Sequence, residues 1–170
     1  DHKKMSILIT GVAGFIGSWT AKELLKKGND IIGIDNFNNY YNPKFKKSNI
    51  KDLKTRLYKE DIRNFSRLKK IFQDNSIDTI IHFAAMVGVR PSIANPFIYE
   101  EVNVRGTLNL LELAKQNNVK KFIFASSSSV YGNRDKVPFS ESDATNSQIS
   151  PYAATKKSGE ILCHTYNYLY

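Results

Sequence analysis

The chain has 170 residues, about the length of one domain, and 41% of them are hydrophobic, which supplies a core and excludes a disordered composition. No apolar run approaches the ~20 residues of a membrane span, and the start has no signal-peptide pattern. The single cysteine, Cys163, excludes an internal disulfide, so a reducing cytoplasm is the expected setting.

The formal net charge is +9, with eleven Lys/Arg against three Asp/Glu between residues 44 and 70. No stacking aromatics are interleaved there in the way single-strand binders need, so the block reads as a solvated surface and not as a nucleic-acid site.

Residues 1–4 read as a tag or disordered start, and the domain as 5–170. Residues 5–10 show a strand pattern and 15–27 a helix with Ile16, Trp19, Leu24 and Leu25 inward. Between them lies a glycine pattern, Gly11, Gly14 and Gly17, with Phe15 and Ile16 opening the helix. Such glycines let the backbone turn sharply and approach a pyrophosphate, to which the helix N-terminus offers free N–H groups. A second strand, 30–35, ends at Asp35, at the spacing that the dinucleotide fingerprint requires. A carboxylate there accepts from ribose hydroxyls and repels a 2′-phosphate. Asn36 and Phe37 follow with no arginine, which favours NAD over NADP.

Residues 36–49 are rich in Asn, Tyr and Lys and contain Pro43, and they read as a loop. A short strand, 57–60, precedes Asp61, which is either a partner for the adenine amino group or the cap of a helix at 65–75. The run 79–84 reads as a fourth strand with a continuous apolar face, as buried parallel strands show. A long helix, 95–117, a fifth strand, 121–125, and a helix opened by Pro151 complete the pattern. Strands alternating with helices predict an α/β fold, a Rossmann-type doubly wound parallel sheet with helices on both faces. With no closing segment before Tyr170, the chain reads as truncated ahead of a substrate domain.

Tyr152 and Lys156 stand one helical turn apart on one face. A phenol of pKa ~10 is a poor base near neutrality, and a neighbouring ammonium favours its ionised form. The four serines 126–129 end the fifth strand.

Taken together, TGVAGFIG, the stretch His82–Ala85, VNVRGT around Asn103, ASSSSVYG and YAATK resemble the extended short-chain dehydrogenases/reductases. The resemblance covers essentially the whole chain. It implies a catalytic set of Ser127, Tyr152 and Lys156, with Ser128 and Ser129 as neighbours able to line the substrate pocket. It also implies a cofactor site that adds Ile62, Phe83, Ala84, Ala85 and Asn103 to the glycine loop, Asp35, Asn36 and Asp61, with Tyr152 and Lys156 at its reacting end. Tyr131 reads as packing.

DNFNNYYNP at 35–43, GVRPS at 88–92 and PFSESD at 138–143 look like UDP-glucuronate 4-epimerases. Related dehydratases and decarboxylases carry an acid just before VYG, where this chain has Ser129. Galactose-type epimerases often carry a lysine where it has Val87. Arg90 is read as meeting a substrate carboxylate or phosphate, or as forming a surface salt bridge. The resemblance implies NAD as cofactor, a UDP-sugar substrate, no metal, and either a homodimer or pairing with a C-terminal half.

Overall fold

Five short segments pair side by side in one sheet: β1 (Ser6–Thr10), β2 (Asp30–Asp35), β3 (Arg56–Lys59), β4 (Ile77–His82) and β5 (Lys121–Phe124). The computed structural model describes residues 5–170, so the reading of residues 1–4 lies outside the described residues. The strand order is β3-β2-β1-β4-β5, and every neighbouring pair is parallel. The order reverses at β1, and sheets of this kind form their ligand crevice at the carboxyl ends of the strands beside such a reversal. Register sets Thr10 level with Ile34 on one side and His82 on the other, so the loops after β1, β2 and β4 leave the sheet together.

Alternation along the strands sends neighbouring residues to opposite faces. Leu8, Ile32, Ile34 and Ile80 join the larger core cluster, with Leu68 and Phe72 of α3 (Phe65–Asp74) and Leu110 and Leu113 of α6 (Gly106–Gln116). Ile9, Ile31 and Ile81 join the other, with Ala21 of α1 (Phe15–Lys26). Each such buried Leu or Ile contributes on the order of 1.5–3 kcal/mol, so both faces of the sheet are committed.

The inward face of α1 differs from expectation. Gly17, Ser18 and Ala21 are buried and Leu24 and Leu25 pack on the core, whereas Ile16 is 62% and Trp19 53% exposed. The cause is proximity: a Cβ on Gly17 would lie 2.3 Å from the Gly11 carbonyl oxygen. Only small residues fit where the helix starts against the loop, and the bulky ones take the outer face.

The region read as a loop, 36–49, holds all but the last residue of α2 (Pro43–Ile50). Pro43 marks the start of that helix, since its fixed φ and missing N–H suit the first helical turn, and the Asn42 side chain caps it by accepting from the Lys44 N–H. The long helix expected at 95–117 is present as α5 (Pro96–Tyr99), a π-helical segment (Glu100–Arg105) and α6, preceded by an unanticipated α4 (Val89–Ala94). The last helix, α7 (Pro151–Leu169), begins at Pro151 as expected, with Ser150 as its cap. Gly159 lets it lie on β5, because a Cβ there would meet the Phe124 ring at 2.3 Å.

Candidate cofactor and active site

The loop after β1 is shaped by its glycines. Gly11 has φ +69°, and a Cβ on it would lie 2.8 Å from the Ala84 nitrogen, so the loop and the end of β4 are in backbone contact. Beside it opens a cavity whose lining includes Gly11, Gly14, Asp35, Asn36, Asp61, Ile62, Phe83, Ala84 and Ala85. These are nine of the residues singled out from the sequence. Phe15 and Ile16 do not line it and are exposed, and Gly17 contributes packing.

Asp35 is 5% exposed and fully engaged. Its Oδ2 accepts from the Ala13 N–H (3.1 Å), and its Oδ1 from the Phe37 N–H (2.8 Å) and from Lys46 Nζ (3.2 Å). Asn36 donates to Asp61 (3.0 Å), joining the ends of β2 and β3. Burial acts to raise the Asp61 carboxyl, but hydrogen bonds from Arg63 and Asn36 outweigh it and hold the group below the usual carboxylate range. Asp61 is not the cap of α3, a role taken by Asn64, whose side chain accepts from the Arg67 N–H.

Beneath the loop His82, 2% exposed, bridges Thr10 Oγ1 (2.6 Å from Nδ1) and Thr107 Oγ1 (2.9 Å from Nε2). The Thr107 hydroxyl donates to the Asn103 carbonyl, and Thr10 Oγ1 accepts from the Ala84 N–H. With the Thr107 proton given to Asn103, Nε2 donates to Thr107, and in the neutral ring Nδ1 accepts from the Thr10 hydroxyl. Burial, with a smaller push from Lys156, lowers His82 to about 3. The Asn103 side chain is used inside the protein: it accepts from the Met86 N–H and donates to the Met86 carbonyl and to Thr155 Oγ1. Asn103 thus fixes the loop after β4 against α7, and it does not line the cavity.

Ser127, Tyr152 and Lys156 stand apart from that lining, at the ends of β5 and α7. Lys156 is 4% exposed, its Nζ donates to the Ala125 carbonyl (2.8 Å), and it lies 5.0 Å from the Phe124 ring centroid. Burial pushes its ammonium down to about 8. Tyr152 is half-buried, with its ring edge-on to Tyr99, and its backbone N–H is accepted by Ser92 Oγ (3.0 Å). Ser127 Oγ accepts from the N–H and hydroxyl of Ser129 in the turn Ser128–Tyr131, while Ser128 is exposed. Tyr131 stacks on Phe139, as packing requires. Arg90 is exposed on α4 and forms no ion pair among the described residues, so the surface salt bridge is not formed.

Sequence reasoning missed four contributors. Lys46 lines the cavity from α2, and Asn49, on the same helical face, donates to the Ala13 carbonyl. Tyr40 lines the cavity too, and its hydroxyl donates to the Val87 carbonyl across the crevice (2.7 Å). Ser92 caps the tyrosine helix from outside. The signal for the first was present: an Asn-Pro pair opening a helix puts residues 46 and 49 on one side.

A five-stranded parallel sheet reversing at β1, with a glycine loop and a buried acid at its crevice, defines a Rossmann-type nucleotide-binding domain. Residues 8–170 match the family model described as GDP-mannose 4,6 dehydratase, and the chain belongs to that family. It is 47% identical over 167 residues to the UDP-glucuronate 4-epimerase of Thermodesulfobacterium geofontis, covering 96% of this chain and 51% of that protein. It is 44% identical to UDP-glucuronate 4-epimerase 1 of Arabidopsis thaliana, covering 98% of this chain and 40% of that protein. Among solved structures, UDP-glucuronic acid 4-epimerase from Bacillus cereus in complex with UDP-glucuronic acid and NAD matches with a TM-score of 0.87 and 41% identity, over 97% of this chain and 53% of that one. The chain spans about half the length of the curated relatives it matches. Among the described residues no helix is long and apolar enough to cross a membrane.

Proposed function

We propose that this chain is the NAD-binding part of a UDP-sugar 4-epimerase that interconverts UDP-glucuronate and UDP-galacturonate. The observation that carries the reading is Lys156. It is a buried lysine one turn from a half-buried tyrosine, and its ammonium meets a backbone carbonyl and no carboxylate among the described residues. An ammonium has three donors, so this one keeps donors for a neighbour or ligand. The tight Gly11 turn against Ala84 and the buried Asp35 support a dinucleotide, because the fingerprint needs a sharp glycine turn after β1 and an acid at the end of β2.

NAD, when bound, supplies a reversible hydride acceptor at carbon 4 of the sugar. Tyr152 takes the proton of the 4-hydroxyl and later returns it. Lys156 favours the ionised tyrosine by its charge, and Ser127 orients the reacting oxygen. Ser129, in place of an acid before Val130 and Tyr131, leaves no carboxylate there to remove a proton from a neighbouring carbon, which favours epimerisation over dehydration. The 4-keto uronate is a β-keto acid, so the site must hold its carboxylate out of line with the carbonyl or complete the return quickly.

Two measurements test this. Titration of the chain should give tighter binding of NAD than of NADP. The protein as its full gene encodes it, incubated with NAD and UDP-glucuronate, should form UDP-galacturonate on chromatography. Bound NAD without that product would overturn the epimerase assignment.

A further inference from the structure

The charge at the ribose end of the crevice is a matched pair, and half of it comes from an element with no part in the dinucleotide fingerprint. Lys46 Nζ lies 3.2 Å from Asp35 Oδ1 and 3.3 Å from Asn38 Oδ1, and the lysine side chain is 11% exposed. It is not a wandering surface lysine. The Asn42 cap starts α2, and Asn49 ties the helix to the glycine loop through the Ala13 carbonyl at 3.0 Å. Ala13 in turn donates its N–H to Asp35, so acid, cation and loop are one hydrogen-bonded unit.

We infer that Lys46 is a specificity-determining residue: paired with Asp35 it completes a site for a free 2′-hydroxyl, and released from Asp35 it is a ready-made site for a 2′-phosphate. The inference rests on the dinucleotide reading above and extends it to what refuses the phosphorylated cofactor. Asp35 alone is an incomplete account, because its charge is offset within hydrogen-bond distance. A 2′-phosphate meets a lysine already held by the acid and an acid already holding the lysine. Neutralising Asp35 removes the repulsion and frees the cation together. The other acids lining the cavity pair with cations outside that lining, Asp61 with Arg63 at 3.0 Å and Glu60 with Arg67 at 3.9 Å. They leave Lys46 as the cation whose pairing changes.

The test is binding of NAD and NADP, by calorimetry, to the unsubstituted chain, Asp35→Asn, Lys46→Met and the double variant. Asp35→Asn is expected to bind NADP at least about tenfold more tightly than the unsubstituted chain, the ratio that ~1.4 kcal/mol gives. Adding Lys46→Met should abolish that gain. Asp35→Ser serves the same purpose should the asparagine variant not fold, as judged by its melting transition and NAD binding. If the double variant binds NADP as tightly as Asp35→Asn, or if neither neutral variant gains NADP, the role of Lys46 is refuted while the NAD reading stands. Failure of the unsubstituted chain to bind NAD would instead overturn the cofactor reading itself, and this inference with it.

Discussion

Asp35 and Lys156 are both buried ions beside the carboxyl ends of the sheet, yet they are held in opposite ways. Asp35 receives two backbone N–H groups and a lysine, so its charge is fixed in place and its geometry set before any ligand arrives. Lys156 is equally buried but holds one backbone carbonyl, and burial lowers its ammonium to about 8. The first arrangement suits recognition, which needs a rigid acceptor. The second suits proton chemistry, which needs a group whose charge responds to its neighbours.

The comparison is broken most sharply at Tyr152. Tyr152→Phe keeps the ring against Tyr99 and removes the hydroxyl. The full enzyme should lose ~10²–10⁴-fold in turnover, the usual worth of one positioned acid–base group, while NAD binding stays near normal. Near-normal turnover would refute the base role. Gly17→Val attacks the other side. Its Cβ would fall 2.3 Å from the Gly11 carbonyl oxygen, backbone that cannot yield cheaply. The expected cost is ~1–3 kcal/mol of stability, with at least about tenfold weaker NAD binding. An unchanged melting temperature and NAD affinity would show that α1 does not close on the loop so tightly.

The sheet and the glycine loop were legible in the sequence because they depend on local pattern: alternation and apolar runs for the strands, Gly11 and Gly17 for the turn. Asp35 was legible because it follows the second strand at a set spacing. What escaped depended on tertiary proximity. Ile16 and Trp19 have a helical face's spacing, but Gly17 decides which face touches the sheet. Pro43 reads equally as a loop residue or as the first residue of a helix, and only the Asn42 cap resolves it. Lys46 then reaches Asp35 across eleven positions that no motif links. Asn103 was read as part of the cofactor site, whereas its amide is spent on Met86 and Thr155.

Acid should separate the two sides by degrees. His82, lowered to about 3 by burial, has an ordinary value of 6.5. Between those values the unfolded chain binds a proton that the folded chain refuses. The stability tied to neutral His82 is therefore complete above about pH 6.5 and is lost as the pH falls, by at most ~1.4 kcal/mol per unit. Urea unfolding at pH 7.0 and 5.5 should show the loss. His82→Gln, which does not titrate, should flatten that slope, and an equal slope in both proteins would remove His82 as its source.

The smallest effect concerns how Tyr152 is seated. Two serines serve the start of α7: Ser150 is the local cap, its side chain accepting from the Ala153 N–H, and Ser92 accepts the Tyr152 N–H from α4. Ser92 is fully buried, and its hydroxyl donates to the Val89 carbonyl at 2.6 Å. It therefore relays the N–H of one helix to a carbonyl of another. Ser150→Ala should cost ~0.5–2 kcal/mol, the range for a lost N-cap. Ser92→Ala takes the shared partner from a part-buried N–H and a carbonyl, a loss of ~0.5–1.5 kcal/mol. The two substitutions differ in what else they move. Ser150 acts within α7 alone, so its loss should change stability with little effect on catalysis. Ser92 ties the tyrosine's own backbone to α4, so its loss should also lower kcat more than it alters KM in the full enzyme. Equal kcat for both variants would mean that α7 seats Tyr152 without help from α4, and the reacting side of the crevice would then be as self-sufficient as the Asp35 side.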